Sequence, residues 1–254
     1  MKNNSDEVIV SIIMPSYNSS MFIIQSIESV LKQTFPKWEL IITDDCSTDN
    51  TFDLISQYAS IDSRIKVFRN KDNLGAGVAR NNSIKNANGR FIAFLDSDDM
   101  WHPTKLEKQI PFMINKNCAL SYSYYQKMDE NGQLLSNISP PITTSSKKLL
   151  FTNVIGCLTA IYDTEKVGKL YMPSIRKRQD MALWIKIMDI SGKAYAIPET
   201  LAYYRISKNS LSGNKYKAAK SQWYLYRNVL NLSLIRSMTY FTSYAFFGFL
   251  KNIK

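Results

Sequence analysis

Residues 91–101 read FIAFLDSDDMW, and this stretch decides the fold that we predict for the chain. Its first five residues are apolar, which is typical of a strand buried on both faces of a sheet. Three carboxylates follow within four positions, at Asp96, Asp98 and Asp99. Such a cluster repels itself unless a cation lies nearby, and hard divalent cations prefer oxygen ligands. Two interpretations stay open from these residues alone: a metal site, or a solvated acidic turn before a helix that begins near Pro103.

Strands and helices alternate in the residues that precede and include this stretch. The apolar runs predict strands at residues 8–14, 38–43, 65–69 and 91–95, and helices at residues 23–31, 51–59 and 78–87. This alternation predicts an α/β fold with a mostly parallel central sheet flanked by helices. Ligands of such sheets bind beyond the carboxyl ends of the strands. Polar clusters follow three of the strands, at residues 15–17, 44–45 and 96–99, and their convergence favours a ligand site over a solvated turn.

Several common kinds of site do not match the sequence. The loop NLGAG at residues 73–77 lacks the GxxxxGK[ST] pattern and has only two of the glycines of GxGxxG, which argues against a phosphate loop and a dinucleotide site. His102 is the only histidine, so a site with two histidine ligands is excluded. The cysteines are few, widely spaced and without a CxxC pair: Cys46, Cys118 and Cys157. Together with a beginning that lacks the secretory pattern, they predict a reducing, cytosolic setting.

The remaining chain up to residue 206 predicts further strands and one acid of interest. We expect a helix at residues 103–114 and strands at residues 119–128, 133–138, 158–162, 194–197 and 201–205. Polar segments at residues 140–146 and 207–214 are candidates for mobile loops that order over a ligand. Asp180 stands at the start of a helical segment, MALWIKIMDI, shortly after the cations of residues 176–178. It is either a helix cap or a carboxylate kept ionised to act as a base.

The net charge of +11 is concentrated near the C-terminus. From Thr200 onward the chain has nine Lys or Arg residues, no Asp or Glu, and many aromatic residues. This composition predicts helices at residues 213–254 that associate with an anionic membrane surface. Two alternatives stay open: ordinary packing of these helices against the rest of the protein, or binding of the basic, aromatic tail to nucleic acid.

The motifs, taken together and in this order, resemble those of the family 2 glycosyltransferases of the GT-A fold, in particular inverting bacterial enzymes that assemble surface polysaccharides such as O-antigens and capsules. They are VSIIMPSYN, WELIITDDCSTD, NLGAGVARNNSI, GRFIAFLDSDDMW and RQDMALWIKI. The resemblance implies a nucleotide-sugar-binding half at residues 1–118, an acceptor-binding half at residues 119–212 and a helical extension at residues 213–254.

The resemblance also assigns roles to individual residues. It implies a UDP-sugar bound by Pro15, Tyr17 and Asp45, with Arg80 near the nucleotide or its phosphates. The DxD motif corresponds to Asp96-Ser97-Asp98, with Asp96 near the ribose and Asp98 on Mn²⁺ or Mg²⁺. Asp99 extends this motif as a second metal candidate, and the catalytic base corresponds to Asp180.

The implied reaction is a single displacement with inversion at the sugar, the acceptor being a hydroxyl of a lipid-diphosphate-linked saccharide at the inner face of the cytoplasmic membrane. One departure concerns the metal, because family members often carry a histidine shortly after the YR that ends the last strand. Here Tyr204-Arg205 is followed by Ile206, Ser207 and Lys208. Lys208 or Arg205 would instead balance the diphosphate. A nucleotidyltransferase is the alternative enzyme, although it would need a glycine-rich basic loop where this chain has PSYNSS.

Overall fold

A single mixed sheet organises the part of the chain that the structure, a computed structural model, describes: residues 8–206 and 215–250, without the side chains of 215–217 and 246–250. Its strands are β1 (Val10–Ser16), β2 (Trp38–Asp44), β3 (Ile65–Arg69), β4 (Phe91–Phe94), β5 (Met100–Trp101), β6 (Leu120–Met128), β7 (Leu134–Ile138), β8 (Thr143–Ser145), β9 (Ile161–Asp163) and β10 (Lys193–Arg205). They lie in the order β3, β2, β1, β4, β9, β6, β10, β5, with β7 beside β6 and β8 beside β10.

Nine α-helices accompany the sheet within these residues: α1 (Ile23–Leu31), α2 (Thr51–Ile61), α3 (Ala76–Lys85), α4 (Lys105–Lys116), α5 (Ser146–Phe151), α6 (Thr164–Val167), α7 (Gln179–Ser191), α8 (Lys215–Tyr224) and α9 (Leu234–Leu250). Successive side chains of β1 point to opposite faces of the sheet, as the pleat requires. Ile12 packs in a core with α1, α2 and α4, whereas Ile13 packs in a second core with α3, α5 and α7. Both faces are therefore covered.

The first half of the sheet is parallel, as predicted. Ile12 of β1 lies opposite Leu40 of β2 on one side and Ala93 of β4 on the other. Beyond β4 the strands are mixed: β9 runs antiparallel to both β4 and β6, and β10 runs parallel to β6. The sheet thus continues across residue 118, and the division of the chain into two halves there stays a prediction.

Three local predictions were wrong in part. The strand predicted over residues 158–162 begins only at Ile161, as β9, because Cys157–Thr159 forms a 3-10 turn in which the backbone N–H and hydroxyl of Thr159 donate to the Gly156 oxygen at 2.9 and 2.7 Å. Residues 140–146 do not form a long open loop, because β8 pairs with β10 there. The strands expected at 194–197 and 201–205 are one strand, whose register with β6 shifts between Ile197 and Ala202. Residues 207–214 lie outside the described part.

The C-terminal helices pack on α5 and α7 rather than standing apart from the rest of the structure. A π-helical turn, Leu225–Val229, joins the end of α8 to a short link before α9. Tyr226 in this turn is fully buried, and its hydroxyl donates to the backbone oxygen of Leu150. The ring of Tyr240 lies 4.9 Å from that of Phe151. Most described aromatic side chains of this region therefore face protein, which favours the packing alternative for them; those of Phe246, Phe247 and Phe249 lie outside the description.

The helices were also compared with the requirements for crossing a membrane. Among the described residues, none of the helices combines the length and the apolar content that spanning a bilayer requires.

Candidate functional site

The acidic stretch after β4 folds into a tight turn at the edge of a large cavity. The backbone N–H of Asp99 donates to the oxygen of Asp96 at 3.1 Å, which closes the turn. Asp96, Ser97 and Asp98 all line a cavity of about 680 Å³ at the carboxyl ends of β1, β2 and β4. This volume lies within the range of roughly 300–1,000 Å³ that is common for small-molecule sites. The convergence predicted for the strand-end clusters is therefore present.

Arg80 of α3 holds the first carboxylate of this turn. Its guanidinium is almost fully buried and forms an ion pair with Asp96. Burial alone would lower the pKa of Arg80, but the charge and hydrogen bond of Asp96 raise it above the usual value. The guanidinium is therefore a permanent positive charge at the cavity wall. Its Nε–H has no hydrogen-bond partner among the described residues.

The other two carboxylates have different surroundings. Burial, followed by the negative charge of Asp96, raises the pKa of Asp98 to about 6. Asp99 does not line the cavity: it is fully buried, and its Oδ1 accepts from the backbone N–H of Arg205 at 2.9 Å. Burial and the charges of Asp98 and Asp96 raise the pKa of Asp99 well above its usual range. Asp98 thus lines the cavity, whereas Asp99 is buried behind the turn and supports it.

A divalent cation fits this end of the cavity, because a positive charge would favour the ionised form of a carboxylate whose pKa is raised. Within the described residues, however, no three His, Cys, Asp or Glu side chains converge as a metal site. Mg²⁺ and similar ions commonly take one or two carboxylates and complete their shell with phosphate oxygens and water. The donor set therefore suits a metal that binds together with a phosphorylated ligand.

Arg205, at the end of β10, is a clamp on the acidic turn rather than a free cation. Besides its backbone bond to Asp99, its Nε donates to the backbone oxygen of Asp98 at 2.8 Å. Its other donors reach the Gln25 side chain and the backbone oxygens of residues 129 and 130. The prediction that Arg205 balances a diphosphate was wrong, because its side chain is 2% exposed and its guanidinium is bound to protein groups. Lys208 lies outside the described residues.

Asp45 organises another part of the cavity wall. Its Oδ1 accepts from the Asn70 side chain at 2.8 Å and from the N–H of Leu74 at 3.1 Å, and its Oδ2 accepts from the N–H of Gly75 at 2.6 Å. Gly75 has φ of +93°, a conformation that favours glycine, and α3 begins directly after it. Since a carboxylate offers about four acceptor positions, these three bonds leave about one position of Asp45.

The loop after β1 forms the rim of the cavity. Pro15 and Tyr17 both line it, and Tyr17 is 46% exposed. The hydroxyls of Ser19 and Ser97 are 2.7 Å apart, which ties this loop to the acidic turn. The sequence identified Pro15 and Tyr17 as candidates but gave no separate signal for Ser19.

The segment before α7 supplies the remaining wall. Arg176, Lys177 and Gln179 line the cavity, and the backbone oxygens of residues 173 and 175 lie 3.5 Å from the position of a Cβ on Gly77. Sequence reasoning assigned the two cations only to the ionisation of Asp180 and missed Gln179. Asp180 itself is half-buried in the first turn of α7 and is not among the lining residues. Its negative charge contributes to the raised pKa of Arg80, so it lies within electrostatic range of this wall.

The N-terminus of α7 is also tied to α9. Arg178 adopts a left-handed conformation, with φ of +67°. Its guanidinium donates to the hydroxyl of Tyr244 and lies 5.4 Å from the centre of that ring. The helix that carries Asp180 is therefore held in place partly by the C-terminal extension.

Comparison with known protein families and sequences identifies relatives over nearly the whole chain. Residues 11–167 match the model of Glycosyl transferase family 2. TuaG of Bacillus subtilis, a candidate teichuronic acid biosynthesis glycosyltransferase, is 45% identical over 93% of this chain and 94% of its own length. WfgD of Escherichia coli, a UDP-Glc:alpha-D-GlcNAc-diphosphoundecaprenol beta-1,3-glucosyltransferase, is 40% identical over 97% of this chain and 96% of its own length.

Solved structures share the fold at lower sequence identity. TarS of S. aureus in complex with UDP-GlcNAc has a TM-score of 0.72 at 22% identity, over 94% of this chain and 72% of the TarS chain. The mannosyltransferase PcManGT of Pyrobaculum calidifontis, in complex with GDP-Man and Mn²⁺, has a TM-score of 0.69 at 15% identity, over 93% of this chain and 70% of its own. The predicted GT-A architecture is confirmed.

We expect Arg205→Lys to lower the free energy of unfolding by about 2–4 kcal/mol, because an ammonium cannot reach all the buried acceptors that the guanidinium joins. Urea unfolding measures this change. The control is Arg236→Lys, a substitution at an exposed arginine, which should stay within about 0.5 kcal/mol of the native protein. Equal stability of the two variants would show that Arg205 does not brace the turn.

Proposed function

The chain belongs to Glycosyl transferase family 2, and on that premise we propose an inverting enzyme of bacterial surface polysaccharide synthesis. The donor is a UDP-sugar, and the acceptor is a hydroxyl of a lipid-diphosphate-linked saccharide. The convergence of Asp45, Arg80, Asp96 and Asp98 on one cavity carries this proposal. The names of the relatives support the substrate classes, since WfgD is named for transfer from UDP-Glc to a diphosphoundecaprenol-linked sugar.

The nucleotide lies between the rim loop and the wall organised by Asp45. Pro15 and Tyr17 contact the base from the rim. The ring N–H of uracil donates to the remaining acceptor position of Asp45, a carboxylate already fixed by three hydrogen bonds. Three hydrogen bonds fix the orientation of this carboxylate, so its acceptor geometry is preorganised for binding.

The diphosphate lies at the acidic turn. Asp96, held by Arg80, faces the ribose, and Ser97 supports it through the link to Ser19. Asp98 would hold Mn²⁺ or Mg²⁺, with Asp99 positioned behind it. When bound, the metal neutralises charge that develops on the leaving UDP. Arg80 adds a fixed positive charge on the same side, where it stabilises the departing group without reorganisation.

The acceptor hydroxyl loses its proton to Asp180 as it attacks the sugar. A single carboxylate base and a single displacement give inversion at the anomeric carbon. The cations of residues 176–178 lie just before Gln179 and Asp180 in the chain. Asp180 lies in the first turn of α7, a position that the helix dipole makes favourable for a carboxylate.

The experiment that tests this function follows UDP release from a set of UDP-sugars, with Mn²⁺ and a synthetic GlcNAc-diphosphate lipid as acceptor. We expect acceptor-dependent release from at least one donor, and loss of that release when EDTA removes the metal. The same assay with CTP or ATP and a sugar phosphate tests the nucleotidyltransferase alternative. Absence of UDP release from every donor would contradict the proposal.

We expect Asp180→Asn to reduce kcat by roughly 10²–10⁴-fold, because the amide cannot accept the proton of the hydroxyl. The affinity for UDP, measured by calorimetry, should change by no more than about twofold, since the donor contacts are untouched. Asp189→Asn, at an exposed acid of the same helix, is the matched control and should keep full activity. Full activity of Asp180→Asn would remove this residue as the base.

The protein also associates peripherally with the inner face of the cytoplasmic membrane, in our proposal through α9. The first turns of this helix expose three apolar side chains on neighbouring positions: Leu234, Ile235 and Met238, which are 55%, 79% and 55% exposed. Arg236 lies exposed among them. Apolar side chains next to cations suit the boundary between headgroups and acyl chains of an anionic leaflet. A lipid-linked acceptor would be presented at this surface.

Replacing Ile235 by Glu should weaken co-sedimentation with phosphatidylglycerol vesicles on the order of tenfold, because a charge replaces an apolar side chain that inserts. Ile61→Glu is the control, since Ile61 is 83% exposed at the end of α2, on a different helix. If both variants bind vesicles as the native protein does, α9 is not the membrane contact.

A further inference from the structure

A second cavity adjoins the cavity at the carboxyl ends of β1, β2 and β4, and it has no role in the proposed donor site. It encloses about 420 Å³ between the segment before α7 and helix α8. Arg176 and Lys177 line both cavities, so the two spaces share a wall. On its far side the second cavity is bounded by Lys220 and Tyr224 of α8.

The lining of the second cavity combines positive charge with apolar surface. Three of its side chains are cations, from Arg176, Lys177 and Lys220, and no acid is among its described lining residues. Ile175 and the half-exposed ring of Tyr224 supply the apolar part. Cations that converge from two elements bind a polyanion, and Arg in particular suits phosphate oxygens. An apolar wall beside them suits a ligand in which a phosphate group continues into a hydrocarbon chain.

We propose that this cavity binds the diphosphate of the lipid-linked acceptor, with Lys220 as an acceptor-specific contact. This assignment rests on the proposed function. The head sugar then extends across the shared wall toward Gln179 and the start of α7, where Asp180 lies. The lipid leaves on the side of Ile175 and Tyr224. One wall of cations thus separates two diphosphates, that of the donor at the acidic turn and that of the acceptor beside α8.

The kinetic test compares Lys220→Ala with Lys186→Ala, a substitution at an exposed lysine of α7 that lines neither cavity. With the synthetic GlcNAc-diphosphate lipid, Lys220→Ala should raise the KM for the acceptor roughly tenfold, which is the size expected for one charge-assisted contact. The KM for the UDP-sugar and kcat at saturating acceptor should change less than about twofold, as should all constants of Lys186→Ala. An increase in the KM for the donor alone would overturn the assignment.

A binding test separates this inference from the proposed function, because it needs no turnover. Farnesyl diphosphate is titrated by calorimetry into the protein saturated with UDP and Mn²⁺. We expect binding that Lys220→Ala weakens about tenfold and Lys186→Ala leaves unchanged. Inorganic pyrophosphate should bind more weakly than farnesyl diphosphate, since it lacks the chain that Ile175 and Tyr224 contact. Equal affinities for both probes, or binding only when UDP is absent, would overturn the proposal even if the enzyme transfers sugar.

Discussion

The acidic turn after β4 depends on the buried contact between Asp99 and the backbone of Arg205. Three carboxylates in four positions would drive the turn apart, and burial makes their repulsion stronger. Arg205 counters this twice, through its N–H to Asp99 and through its guanidinium to the oxygen of Asp98. The last strand of the sheet therefore fixes the geometry of a turn formed more than a hundred residues earlier. The proposed cation site depends on this bracing, because it keeps the carboxylates of the turn close together.

The parallel sheet explains why the proposed donor site lies where it does. Parallel strands end at the same edge, so the polar residues that follow β1, β2 and β4 meet there without any long loop. The links across this edge are short hydrogen bonds between neighbouring loops, as between Ser19 and Ser97. The proposed mechanism adds one acid from the second half of the chain, Asp180, which lies in the first turn of α7.

The sequence was sufficient for elements whose pattern is local. Apolar runs identified the four parallel strands, and the acids behind them identified the cavity. Features that depend on a distant partner were missed. No residue near Arg205 in the sequence indicates that its side chain binds the acidic turn. Residues 143–145 form a strand only because β10 lies beside them. The aromatic composition of the C-terminal helices could not predict whether the rings face lipid or protein. In the structure, rings such as that of Tyr226 are buried in protein. The roles of Asp180 and of the metal candidates stay predictions.

The burial of Tyr226 has a practical consequence for anyone who wishes to shorten this protein. A basic, aromatic tail invites removal to improve behaviour in solution, on the assumption that it is an appendage. Here the tail covers α5 and α7, and its loss would expose the core that supports the proposed base. A chain that ended before α8 would therefore be expected to lose activity through unfolding around α5 and α7, whether or not the tail binds lipid. Single exposed side chains, rather than deletions, are the changes that can separate anchoring from catalysis.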